Sequence, residues 1–225
     1  MRSRSRSISS SRASARKGKV SNTGGVFTGE VDLAGFKILL EEVLNCQICA
    51  ASLPLGPRPV LQAHPRARIL IAGQAPGRRV HESGIPFDDP SGHRLREWMG
   101  IDAGVFYDPR KVVILPMGFC YPGTGKSGDL PPRPECAPAW REQLLSQLHH
   151  VELTLVLGRY AHAYHLETSR RPVTEIVRAW REYWPARVPL PHPSPRNTAW
   201  FQRNPWFSED LLPALRQRVR ELLHC

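Results

Sequence analysis

Hydrophobic positions along this chain recur with two different periods. From Val31 onward, Leu33, Phe36, Leu40 and Val43 fall at three- and four-residue intervals, the spacing of one helical face. The same period marks Leu95, Trp98 and Met99, then Trp140, Leu144 and Leu148, then Val173, Ile176, Val177 and Trp180. A last helix is predicted from about Glu209 to Leu223, with Leu211, Leu215, Val219 and Leu222 on its apolar side. Pro213 fits that helix only in its first turn, where amide hydrogens have no partner inside the helix. Between these segments lie short, continuous apolar runs that read as buried strands: ARILIAG (67–73), KVVILP (111–116) and ELTLVLG (152–158). ARVPLP (186–191) is a fourth, and its prolines assign it to a sheet edge or a strand end. Strands alternating with helices predict a three-layer α/β/α fold around a central, mostly parallel four-stranded sheet.

Composition changes this picture at one end. Residues 1–28 are rich in Arg, Ser and Gly and nearly free of apolar side chains, so they cannot offset the entropy of ordering. They read as a disordered basic tail, which leaves 29–225 as one domain. The same composition would suit an organellar transit peptide. The formal charge of +11 is concentrated there: residues 1–25 hold seven Lys/Arg and no acid, so the remainder carries 24 basic against 20 acidic residues. The body is thus only mildly basic, which suits a nucleic-acid groove without requiring one. No apolar run approaches the ~20 residues that span a bilayer, and nothing points to a membrane partner. Five cysteines without a secretory apolar segment suggest a reducing compartment, the cytoplasm, where spaced cysteines bind metal or do chemistry more often than they pair.

In α/β sheets the working loops follow the carboxyl ends of strands. Three of the four strands here run into unusual sequence: GQAPGRRVHESGIPFDDPSG (73–92), MGFCYPGTGKSGDLPPRPEC (117–136) and HPSPRN (192–197). PGTGKS (122–127) imitates a phosphate-binding loop, but the glycine required five positions before Gly125 is Cys120. The proline-rich continuation also offers no helix to face phosphates, so a nucleotide triphosphatase is rejected. Cys46 and Cys49 form a CxxC at the end of the first helix, and Cys120 and Cys136 follow with fifteen residues between them. Buried thiols, a zinc site and an iron–sulfur cluster all remain open readings. Cys225, at the terminus, stands apart. His192, locked between prolines, can present a hydrogen-bond donor at a fixed place, and Arg196 sits at the tip of the same turn.

Together these residues resemble the uracil-DNA glycosylase superfamily, and its iron–sulfur family 4 most closely, from about Leu33 to the C-terminus. The family 4 first loop has the form GEAPGxxEDxxGxPFxGxxG. This chain matches it at Gly73, Ala75, Pro76, Gly77, Gly84, Pro86, Phe87 and Gly92. The final HPSPRN is similar instead to the single-strand-selective monofunctional branch. The resemblance implies a 4Fe–4S cluster on Cys46, Cys49, Cys120 and Cys136, and damaged DNA as the partner of a monomer. It implies that Phe87 stacks on a flipped base, that Gln74 and Ala75 contact it, and that His192 stabilises the departing base. Ser194, Arg196 and Asn197 would then meet the DNA, with Lys126 as a further phosphate contact.

Departures from the family pattern bear on chemistry. Gln74 stands where family 4 has Glu, and Val80 and His81 stand where it has Glu-Asp. A neutral amide is no general base. Leu115, Pro116 and Met117 occupy the stretch where family 4 places an asparagine that reads uracil. His81, Asp88 and Asp89 are the remaining candidates to position water. The expected activity is monofunctional excision of a deaminated base, uracil first and hypoxanthine or xanthine next. The alternative is a nucleic-acid-binding protein on the same scaffold that has lost catalysis.

Overall fold

A computed structural model describes residues 32–126, 128–168 and 170–224. The basic tail and Cys225 lie outside the described residues. The chain lays down α1 (Leu33–Leu44), β1 (Ile69–Ala72), α2 (Arg78–Ser83), α3 (Pro90–Met99) and α4 (Ala103–Phe106). It continues with β2 (Val112–Ile114), a small hairpin of β3 (Thr124–Gly125) and β4 (Gly128–Asp129), and α5 (Cys136–Leu145). The second half comprises β5 (Leu153–Leu157), α6 (Gly158–His165), α7 (Val173–Arg178), β6 (Arg187–Leu190), α8 (Thr198–Arg203) and α9 (Leu212–Leu223). None of these helices is long and apolar enough to cross a membrane.

The central sheet has the order β2-β1-β5-β6 and is parallel throughout, with Ile69 opposite both Val112 and Leu153 and Leu155 opposite Val188. Side chains alternate across it as a period of two requires. Ile69, Ile71, Val112, Ile114, Leu155 and Leu190 face one layer, where Leu95, Trp98 and Met99 of α3 and Leu215, Val219 and Leu222 of α9 cover them. Leu70, Val113 and Leu115 face the other, against Phe36 and Val43 of α1 and Leu144 of α5. Ala72 and Val156 extend that second face under Ala161 of α6. Both faces being covered explains why the strands read as unbroken apolar runs. The proline-bearing ARVPLP run is an edge strand, as its composition requires. The opposite edge, β2, is shielded by Gln62, whose backbone exchanges two hydrogen bonds with Ile114.

Pro213 falls in the first turn of α9, directly after a single wide helical turn at Phe207–Leu211. α3 starts on Asp89, whose carboxylate accepts the Gly92 amide at 2.9 Å, and Pro90 occupies the position where a missing N–H costs nothing. The hairpin β3–β4 was not foreseen: it has no alternating apolar pattern and consists largely of glycine and polar residues.

Candidate active site

The loops after β1, β2 and β6 meet at the carboxyl edge of the sheet around a cavity of about 280 Å³. The first loop contributes Gly73, Gln74, Ala75, Pro76 and Phe87, with Asp89 and Ser91 at the start of α3. The second contributes Pro116 and, from the hairpin, Asp129. The third contributes His192, Ser194 and Arg196.

Phe87 is held in a left-handed backbone conformation, φ 56°, which a bulky residue adopts only when its surroundings impose it. Three contacts impose it here. The Phe87 ring meets Phe106 edge to face, with centroids 6.1 Å apart. Its carbonyl accepts the Tyr107 hydroxyl at 3.4 Å. Gly92 packs so tightly beneath that a Cβ there would lie 1.8 Å from the same carbonyl oxygen. The half-buried ring therefore stands at the cavity wall as a fixed flat surface.

His192 is equally constrained. Its Nδ1 accepts the Ser194 amide at 3.2 Å, and its carbonyl accepts the Asn197 side-chain amide at 2.7 Å. Arg94 of α3 donates to the carbonyls of Pro193 and Ser194 at 3.3 and 3.0 Å while its guanidinium lies 5.0 Å from the Phe201 ring centre. Burial lowers the His192 pKa below the ordinary histidine value, and the carboxylates of Asp89 and Asp129 oppose that shift only partly. The ring is thus neutral at pH 7. With Nδ1 accepting, its proton is on Nε2.

The second wall is set from behind. Arg141 of α5 is fully buried and donates from Nη1 to the carbonyls of both Leu115 and Pro116 at 3.0 Å. Nη2 lies 2.5 Å from His165 Nε2. Burial lowers the Arg141 pKa to about 10 and, with the arginine's charge, that of His165 to about 3. Pro116 therefore meets the cavity without an N–H and with its carbonyl turned into this buried contact.

Of the sequence candidates, Gln74, Ala75, Phe87, His192, Ser194 and Arg196 come together at the cavity. Gln74 donates its side-chain amide to the Leu130 carbonyl at 3.1 Å, tying the first loop to the hairpin. Asn197 braces the His192 loop rather than lining the cavity, and Lys126 is exposed at the hairpin turn. His81 and Asp88 do not reach the cavity wall. α2 turns His81 inward, 7% exposed, with its ring 6.0 Å from Tyr121; the carboxylate at the wall is Asp89, one residue after Asp88. Sequence reasoning missed Asp129, Arg94 and Arg141. Only the GTGKSGD string, with glycines flanking a two-residue turn, offered a signal for the first of these.

A separate pocket is lined by Cys46, Cys49, Cys120 and Cys136, with Trp140, Phe119 and Arg133 around them. All four are free thiols. Trp140 donates its indole N–H to Cys46 Sγ at 3.2 Å, and the Phe119 amide donates to Cys136 Sγ at 3.3 Å. Burial, with the neighbouring sulfurs, pushes the Cys120 pKa up to about 11; for Cys136, burial and the same kind of neighbours push it to about 12. Among the described residues, no three Cys, His, Asp or Glu side chains group as they would around a single metal ion.

A family model described as the uracil DNA glycosylase superfamily matches residues 62–216, a span that holds β1, β2, β5 and β6 and all three loops of the cavity. With the match covering more than half of its length, the chain belongs to the uracil DNA glycosylase superfamily.

Proposed function

We propose that this protein is a monofunctional DNA glycosylase that extrudes a deaminated base from DNA and hydrolyses its N-glycosidic bond. The observation that carries the reading is the pairing, in one cavity, of a fixed aromatic face, Phe87, with a neutral histidine whose Nε2 is a donor. An extruded base is a flat heterocycle that becomes anionic as its bond to C1′ breaks. Phe87 would hold its face, and the His192 Nε2–H would stabilise the charge on its departing edge. Arg196, exposed at the rim, would enter the space that the base vacates, and Ser194 and Lys126 would meet the phosphates. No lysine lines the cavity among the described residues, which favours hydrolysis over a Schiff-base route.

Uracil is the first substrate to test, and hypoxanthine and xanthine follow. Pro116 at the wall offers the base no N–H, so the reading of a uracil edge has to come from backbone groups near Gln74. The residues of the cysteine pocket fit a 4Fe–4S cluster on Cys46, Cys49, Cys120 and Cys136. Two of the four sulfurs, those of Cys46 and Cys136, already accept N–H bonds, the contacts that stabilise thiolates around a cluster. A polynuclear cluster also spreads its four ligands wider than one ion does. When bound, the cluster would cross-link the end of α1 to the loop after β2 and the start of α5, and no step of base excision depends on it.

The alternative, a binder that has lost catalysis, is favoured by one observation: Gln74 spends its amide on the Leu130 carbonyl and supplies no base. A strand-nicking assay separates the two. Oligonucleotides carrying uracil, hypoxanthine or xanthine, single- and double-stranded, are incubated with protein and treated with alkali. Cleavage that disappears in His192→Ala supports the glycosylase; binding without abasic product on every substrate supports the binder.

A further inference from the structure

The first loop carries Gln74, Val80 and His81 at the motif positions where acids would activate water, yet the cavity is not without carboxylates. Asp89 and Asp129 both line it, and both act electrostatically on His192. Their circumstances differ. Asp89 commits Oδ1 to the Gly92 amide and so caps α3 beneath Phe87. Asp129 closes the hairpin strand β4, with Oδ1 3.4 Å from the Thr124 hydroxyl that donates to it. That hydroxyl lies 2.5 Å from the Tyr121 hydroxyl. The hairpin itself is anchored by the Leu130 amide on the Gly123 carbonyl, 2.8 Å, and by Gln74 on the Leu130 carbonyl. Oδ2 of Asp129 overhangs the first loop at Gly77, where a Cβ would lie 3.4 Å from it.

We propose that Asp129, delivered by the hairpin of the cysteine-bearing loop, is the catalytic carboxylate that orients and deprotonates the attacking water. The inference rests on the glycosylase reading above. As the C1′–N bond breaks, its electron pair leaves with the base against the His192 Nε2–H. The water oxygen bonds to C1′, one water proton passes to Asp129, and the released base anion takes up that proton. Gln74 is then a positioning residue that keeps the hairpin over the sugar, and its neutrality is no defect.

The test measures single-turnover excision of the base identified in the nicking assay, together with the Kd for an oligonucleotide bearing an uncleavable abasic analogue. Asp129→Asn lowers the rate at least about 100-fold, in the range set by removing a general base, and leaves Kd within about threefold. Asp89→Asn, which keeps a competent helix cap, loses about tenfold or less. Asp129→Ala recovers activity on addition of sodium formate, a response that a purely structural role does not produce. An Asp129→Asn protein that cuts within threefold of wild type overturns the proposal, as does an Asp129→Ala protein that formate leaves inactive. Wild-type protein that cuts no substrate removes the glycosylase reading itself; active wild type with an active Asp129→Asn removes this inference alone.

Discussion

The Ser194 amide donates to His192 Nδ1 at 3.2 Å, and that bond decides which ring nitrogen carries the proton. A neutral imidazole has one donor and one acceptor, so occupying Nδ1 as the acceptor leaves Nε2–H as the donor. The two prolines flanking Ser194, the Asn197 amide on the His192 carbonyl and the Arg94 guanidinium on the next two carbonyls keep the loop from rotating out of this register. His192→Ala is expected to cut the single-turnover excision rate by roughly 10²- to 10³-fold, the scale of losing one preorganised donor to a developing anion. DNA affinity, measured by fluorescence anisotropy, is expected to stay within a few fold, because the donor acts on charge that the ground state lacks. Arg94→Ala, which leaves the ring but frees its loop, is expected to lose about tenfold.

Pro116 gives a test of base choice that does not depend on losing activity. Its carbonyl is held by Arg141 and it has no amide hydrogen, so the wall it forms cannot read a pyrimidine edge. Pro116→Asn supplies both a donor and an acceptor at that place. Site-built hydrogen bonds discriminate far more strongly than apolar contact does. The ratio of kcat/KM for uracil to that for hypoxanthine is expected to rise at least about tenfold in Pro116→Asn. An unchanged ratio would mean that the base edge is read elsewhere in the cavity.

Gly92 is a packing requirement disguised as a motif residue. A Cβ at that position would lie 1.8 Å from the Phe87 carbonyl oxygen, a backbone atom that cannot swing away. The turn that carries Phe87 in its left-handed conformation would have to open. Gly92→Ala is expected to cost at least about 2 kcal/mol in urea unfolding. Activity should fall further than stability alone explains, since the displaced group is the stacking face itself.

The sheet was legible because burial on both faces leaves strands with no polar register to hide behind. Ile69–Ala72 and Leu153–Leu157 are apolar at nearly every position, and the prolines of the fourth run marked it as an edge. The convergence of Gln74, Phe87 and His192 followed from the rule that working loops leave the carboxyl ends of such strands. What was not legible depends on tertiary partners. The hairpin β3–β4 has no apolar alternation and is held by Gln74 reaching Leu130, fifty-six positions apart in the chain. Asp129 therefore looked like a loop residue. His81 sits in the first motif, but only the packing of α2 reveals that its ring is buried beside Tyr121 and is not part of the cavity lining. Arg141 lies beside Trp140 on a segment with a helical period, and nothing local announces that its partners are carbonyls of the second loop.

The cysteine pocket makes a prediction that needs no substrate. Protein purified without air is expected to be brown, to absorb broadly in the visible and to contain iron and acid-labile sulfide. Cys120→Ser should lose that absorption. Its thermal midpoint is expected to fall by roughly 10 °C or more, because the bound group ties together elements distant in the chain. Colourless wild-type protein without iron, still folded and active, would remove the cluster from the reading and leave the glycosylase untouched.

His162 links the strand end that carries His192 to acid stability. It is completely buried, and Nε2 lies 2.9 Å from the Val156 carbonyl and 3.1 Å from that of Leu190. The ring thus staples β5 to β6 two residues before His192. Nδ1 is buried without a partner, so a proton added there would be a charge stranded in the core. Burial accordingly lowers the His162 pKa to about 4, against about 6.5 in an unfolded chain. Between those values the unfolded chain binds a proton that the folded protein refuses, so stability increases with pH. The contribution is whole above pH 6.5, declines as the pH falls toward 4 and is flat below that, a change on the order of 3 kcal/mol. His162→Gln, which can keep the donor to the two carbonyls but does not titrate, should be less stable than wild type at pH 7 through imperfect packing. Its urea midpoint should nevertheless drop less than that of wild type between pH 7 and pH 4.5. Equal slopes for the two proteins would show that His162 is not the group through which acid loosens the strand end carrying His192.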